Sequence, residues 1–300
     1  MIAALCLLSK PSMAQLSRRR SLADMTVRHN ATWGLARITQ AEKLQEQNPR
    51  GLDFNYSYDQ CGGDGVDVYV EFGGRAVWGA TFNKDAEDKD VAGHGTHVAA
   101  TIAGNQFGVA KVIGPGIRFL SRSIADHIAA LKWVAQQVDE SDRPSVVHVS
   151  IHGKPSDAVD EAAATLVAKG VHVVTSAGIH GIDANQTSPA RVPGVLTVGV
   201  IGINDAKANF SNFGSVVDIF APGENIVSAG IHRVHEKIWL FHSMSSSTFH
   251  ICLLTPLKGA AYVTGIVAYL IGKLGNMSPA AMKALLQSTA VKDALTGIRK

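Results

Sequence analysis

Between Ile124 and Val200 the chain alternates helical patterns with short apolar runs, and that alternation leaves few folds open. Ile124, Ile128, Leu131, Ala135 and Val138 recur at helical spacing and give one apolar face, which Pro144 ends. Val146 to Ile151 follows as a strand, and Ser156 is placed to cap a helix through Ala168 with Val159, Ala162, Ala163, Leu166 and Val167 facing inward. Val171 to Ala177 and Val195 to Val200 are further apolar strands bounded by glycine and proline. Strands apolar on both faces and joined through helices run parallel, so the expected class is α/β: a parallel β-sheet with helices on both faces. Ligands in such sheets sit beyond the carboxyl ends of the strands.

At 300 residues, 46% hydrophobic and 18% charged, the chain has the length and composition of one large domain, expected over residues 31–300. Residues 1–30 carry no strong periodicity and are expected to be a leader or loosely ordered segment. Met1 to Leu8 is apolar and Ser12-Met13-Ala14 offers small residues for cleavage, so an extracellular, secreted chain is expected. Asn30, Asn55, Asn185 and Asn209 head glycosylation triplets in keeping with that. Cys6, Cys61 and Cys252 have no metal-binding spacing; with Cys6 removed in a leader, the remaining two could pair. A net charge of +3 is too mild to call for nucleic acid or an acidic membrane surface. The apolar run Ala260 to Ile271 is too short to span a bilayer and reads as a buried helix in a monomer.

Asp90 to Gly104, DVAGHGTHVAATIAG, sets His94 between Gly93 and Gly95 at the first turn of a short helix. Thr96, Val98, Ala99, Ile102 and Ala103 make that helix apolar nearly all round, hence internal, with Gly104 as its stop. A histidine there is either a general base or a core histidine with a hydrogen-bond partner. A zinc pair with His97 lacks the HExxH spacing. The whole phrase resembles the histidine motif of the subtilisin family of serine proteases. Ala31 to Ile38 (ATWGLARI) is similar to the start of the mature domain in its proteinase-K-like branch. Thr187 to Val200 (TSPARVPGVLTVGV) and Phe210 to Gly223 (FSNFGSVVDIFAPG) resemble that branch too.

The resemblance implies a serine endopeptidase acting on protein or peptide substrates without an organic cofactor, with His94 as base. It also exposes departures. The family's first strand ends in an Asp-Thr-Gly turn carrying the triad aspartate, whereas here Val70 runs straight into Glu71-Phe72-Gly73; Asp67 and Glu71 are the substitutes at hand. The family's Gly-Thr-Ser-Met-Ala directly leads a buried helix, but here Ser243-Met244 is separated from Gly259 to Gly265 by Ser245 to Lys258. Ser243 is the matching serine, with Ser245, Ser246 and Ser247 as competitors. Ser176-Ala177-Gly178 matches the lead-in to the oxyanion asparagine, whose place Ile179 takes with no donor to offer; His180 follows it. Peptide is held in the family between two edge segments, one matching Ser150-Ile151-His152-Gly153 and the other falling in the stretch shortened after Lys111. Ser176, Ala177 and Gly178 are carried over as substrate-binding with Ser150, Ile151, His152 and Gly153, where bulky His152 replaces a small glycine. A structural Ca²⁺ is implied at the carbonyls of Pro189 and Arg191 with the carboxylate of Asp205. The expectation is an impaired peptidase, the join after Val70 and the insert being suggestive of a mis-assembled reading frame. The alternative is a non-catalytic protein that binds a peptide or partner.

Overall fold

Strand-forming valines dominate the sheet, and the computed structural model describes it within residues 25–59, 62–69, 77–82, 90, 93–110, 115–118, 123–150, 152–230 and 257–298. In chain order the elements are β1 (Met25–Ala31), α1 (Trp33–Arg37), β2 (Phe54–Asp59), β3 (Asp67–Tyr69), β4 (Val77–Thr81), α2 (His94–Ala103) and β5 (Pro115–Arg118). There follow α3 (Ile124–Ser141), β6 (Ser145–Val149), α4 (Asp157–Ala168), β7 (His172–Ser176), β8 (Leu196–Ile201), β9 (Ile219–Pro222), α5 (Leu257–Leu274) and α6 (Pro279–Thr289). The main sheet is parallel throughout, in the order β3-β6-β7-β8-β9. β1 and β2 form an antiparallel ribbon, and β4 pairs with β5.

Successive strand residues face opposite sides, and the two cores divide accordingly. Val146 and Val174 join the cluster built on α2 and α5, while Val147, Val149 and Val173 join the one built on α3 and α4. His148 therefore sits on the α5 side of β6. α5 runs beneath β6, β7, β8 and β9 and alongside α2. Close approach to α2 depends on Gly265, where a Cβ would lie 2.7 Å from Val109 Cβ and 2.9 Å from the Ile102 carbonyl.

Local signals behave mostly as their chemistry requires. Ser278 caps α6 by accepting from the Ala281 N–H at 3.2 Å. α3 ends at Ser141, before Pro144, with Asp142 left-handed at φ 50°. Gly104 does follow α2, but its φ of −67° is not the left-handed stop expected; a Cβ there would meet the Ala100 carbonyl at 2.5 Å, so the requirement is for space. The expected boundary at residue 30 also moves, because Met25 to Arg28 pair in register with Asp59 to Tyr56.

Candidate active site

His94 is the first residue of α2, next to Gly93 at φ 74°. The missing signal in the sequence reading is Asp90: its carboxylate accepts from the Gly93 N–H and the Thr96 N–H, each at 2.8 Å, and so closes the positive end of the helix. The ring is 8% exposed, and Nε2 has no hydrogen-bond partner among the described residues. Burial pushes the His94 pKa down to about 4; Asp90 pulls it up and Lys258 pushes it further down. A neutral imidazole can accept a proton, but burial makes it a weak base.

Lys258 was not anticipated in this neighbourhood. It is the second residue of α5, 4% exposed, and donates to the Ile226 carbonyl at 3.4 Å, which His97 Nε2 also approaches at 3.3 Å. Burial lowers its pKa to about 8. Thus α2 and α5 bring their amino ends together, and an ammonium stands in the field of both histidines.

The orienting carboxylate is not supplied by Asp67. That residue opens β3 beside Ser145, at the amino end of the sheet, and pairs with Arg143 at 3.1 Å. Burial raises its pKa, with Arg143 opposing. Its charge is committed at the end of the strands remote from ligand-binding rims. Glu71, Ile151, Ser243, Ser245, Ser246, Ser247 and the cysteines lie outside the described residues.

Several of the residues carried over as substrate-binding lie side by side, while the stretch directly after Lys111 lies outside the described residues. β6 leads into Ser150 and Gly153, β7 ends at Ser176, and Ala177 and Gly178 continue beyond it; a Cβ on Gly178 (φ 111°) would stand 3.5 Å from His152 Cδ2. Asn212 fixes this bend, its amide donating to the Ala177 carbonyl at 2.9 Å and its oxygen accepting from the N–H groups of His180 and Ile182 at 2.9 and 3.2 Å. The His152 and His180 rings meet edge to face at 5.4 Å. Burial, then His180, lowers the His152 pKa to about 4. Gly153 exchanges backbone hydrogen bonds of 3.1 Å with Ser188. A half-open, chiefly apolar cavity of about 260 Å³ lies here, with Leu131, His148, Val149, Ser150, Val159 and Pro189 in its lining.

A hydroxyl–imidazole array borders that cavity, and the sequence reading missed it. His148 Nε2 is hydrogen-bonded to Ser150 Oγ, and His148 Nδ1 lies 2.9 Å from Thr264 Oγ1. Thr264 in turn donates to the Ala260 carbonyl at 2.8 Å. Alternation in β6 could have placed His148 toward α5, but nothing local marked Thr264 as its partner.

Among the implied calcium ligands, the Asp205 carboxylate already stands in a buried ion pair. Asp205 is 3% exposed, and its oxygens accept from Arg37 Nε at 2.8 Å and Nη2 at 3.1 Å. Its charge is already balanced in a bidentate pair. The Pro189 carbonyl accepts from the Val192 N–H at 3.0 Å, and the Arg191 side chain pairs with Asp157 and Asp160.

A parallel sheet flanked by helices, with His94 at the first turn of a buried helix, places this domain in the α/β class. The model of the Subtilase family matches residues 74–299, and the chain belongs to that family. It is 38% identical over 283 residues to subtilisin-like protease 1 of Pseudogymnoascus destructans, covering 89% of this chain and 65% of that protein. To the subtilisin-like serine protease Pen ch 18 of Penicillium rubens it is 34% identical over 312 residues, covering 94% of this chain and 60% of the relative. The chain thus spans somewhat less than two thirds of the length of these relatives. The crystal structure of a cold-adapted subtilisin-like serine proteinase superposes with a TM-score of 0.74 at 34% identity, over 90% of this chain and 95% of the other. No helix among the described residues is long and apolar enough to cross a membrane.

Proposed function

We infer that this chain is a secreted, monomeric subtilisin-like protein of the proteinase-K-like branch that has lost significant endopeptidase activity. The observation that carries this is the first strand: Asp67, the carboxylate it offers in place of the family's triad aspartate, is paired with Arg143 at the amino end of the sheet. Breaking a peptide bond through a serine needs a base, an acid orienting that base, and oxyanion donors. The Ile179 side chain offers no donor, and Ser245 to Lys258 separate Ser243 in sequence from Gly259, whereas the family's serine directly leads its helix. In subtilisin, the family member for which the figures are known, loss of the oxyanion asparagine costs about 10² to 10³ in turnover and loss of the aspartate about 3 × 10⁴. Protein or peptide remains the natural ligand class, and the cavity beside Ser150 favours a second reading in which the fold binds a peptide without cutting it. Calcium forms no part of the proposal, because Asp205 is held by Arg37. Casein and peptide-nitroanilide assays test the inference: no cleavage above buffer is expected, and cleavage abolished by His94→Ala would overturn it.

A further inference from the structure

Thr264 has a single hydroxyl proton, and the Ala260 carbonyl one helical turn back stands 2.8 Å away to accept it. With the proton there, the Thr264 oxygen accepts from His148 Nδ1–H, and the bare Nε2 lone pair faces Ser150. Ser150 donates its proton to that lone pair. The arrangement is a hydroxyl on a neutral imidazole, oriented from behind by a second hydroxyl in place of a carboxylate. Position supports the same conclusion. His148 is 1% and Ser150 8% exposed, and both border the apolar cavity of about 260 Å³, which shelters a reacting carbonyl from water. His148 remains an acceptor at any pH above about 3, because burial opposes its protonation.

We propose that Ser150 is a nucleophile toward small apolar activated esters, with His148 taking its proton and Thr264 positioning the ring. The Oγ–acyl bond forms as the bond from the acyl carbon to the leaving oxygen breaks. The serine proton passes to His148 Nε2 and on to the leaving alcohol. Water then cleaves the acyl-serine by the reverse path, giving the acid and restoring Ser150. This chemistry is separate from peptide cleavage through His94 and goes beyond the function proposed above.

The test uses the full chain, p-nitrophenyl butyrate and a fluorophosphonate probe, which forms an O–P bond as fluoride leaves, with the labelled peptide identified by mass spectrometry. A stoichiometric adduct on the Ser150 peptide is expected, lost with Ser150→Ala along with ester turnover. Thr264→Val should slow labelling about tenfold or more, and Thr264→Ser should restore it, because only the hydroxyl orients the base. Circular dichroism confirms that each variant is folded. An adduct confined to Ser243 or its neighbours, no adduct at all, or unchanged turnover in Ser150→Ala would overturn the proposal. Peptidase activity dependent on His94 would refute the previous section alone, since the site of the adduct is read independently.

Discussion

Acidification should unfold this protein well above the pH at which most carboxylates titrate. His94 is held at about 4 and His148 at about 3, both by burial, against an ordinary value of 6.5. A histidine lowered on folding binds its proton more readily in the unfolded chain, so stability is full above about pH 6.5 and falls as the pH drops toward the folded values. At ~1.4 kcal/mol per pH unit of displacement, His94 contributes on the order of 3 kcal/mol and His148 on the order of 5 kcal/mol. Asp67 and Asp218, whose carboxyls burial pushes up, act in the opposite sense at the acid end. Against a total stability of about 5–15 kcal/mol, the histidine effect is large. Urea unfolding followed by circular dichroism between about pH 7 and pH 4.5 should show the midpoint falling with an unchanged slope, ~3 kcal/mol per pH unit coming from His94 and His148 and more from His97 and His152, which burial also lowers. Calorimetry in buffers of different ionisation enthalpy should count more than two protons bound on unfolding at about pH 5. Stability flat between pH 6.5 and 4.5, or imidazole resonances of His94 and His148 titrating near 6.5, would refute the assignment of burial as the cause.

Other expectations follow from single contacts. Arg37→Met strands the Asp205 carboxylate in the interior and should cost about 3–5 kcal/mol, read as a lower urea midpoint; a loss under 1 kcal/mol would contradict the buried pair. Calcium at millimolar concentration should leave the melting temperature unchanged, and a saturable upward shift would restore a cation site near Asp205. Gly265→Ala forces Val109 or the Ile102 carbonyl aside and should cost about 1–3 kcal/mol, whereas a neutral effect would mean that α2 and α5 can separate freely. Asp90→Ala removes a cap from α2 and should lower stability by about 1–2 kcal/mol, with hydrogen exchange quickened at Gly93 and Thr96.

The sheet was legible in the sequence because β6, β7 and β8 are buried on both faces, and burial writes itself as valine-rich runs. β1 was not, since exposed Val27 and the polar Arg28, His29 and Asn30 lack that signature and the pairing with β2 spans a long loop. At the site, the family phrase placed His94 at the first turn of α2. Asp90 could have been found as a helix cap, being an aspartate just before the turn. The His148–Thr264 contact joins residues 116 positions apart and depends on how α5 lies under the sheet, so no local pattern announces it. The Arg37 partner of Asp205 was hidden for the same reason, lying 168 residues away in the chain.

The places where this sequence parts from the family, after Val70, after Lys111 and before Gly259, fall outside β3, β6, β7, β8 and β9. A wound sheet is mechanically indulgent there: splices and losses along its rim leave the interior valines undisturbed. Architecture and chemistry can therefore decay on separate clocks, and a scaffold of this kind can long outlast the reaction it was first built to hold.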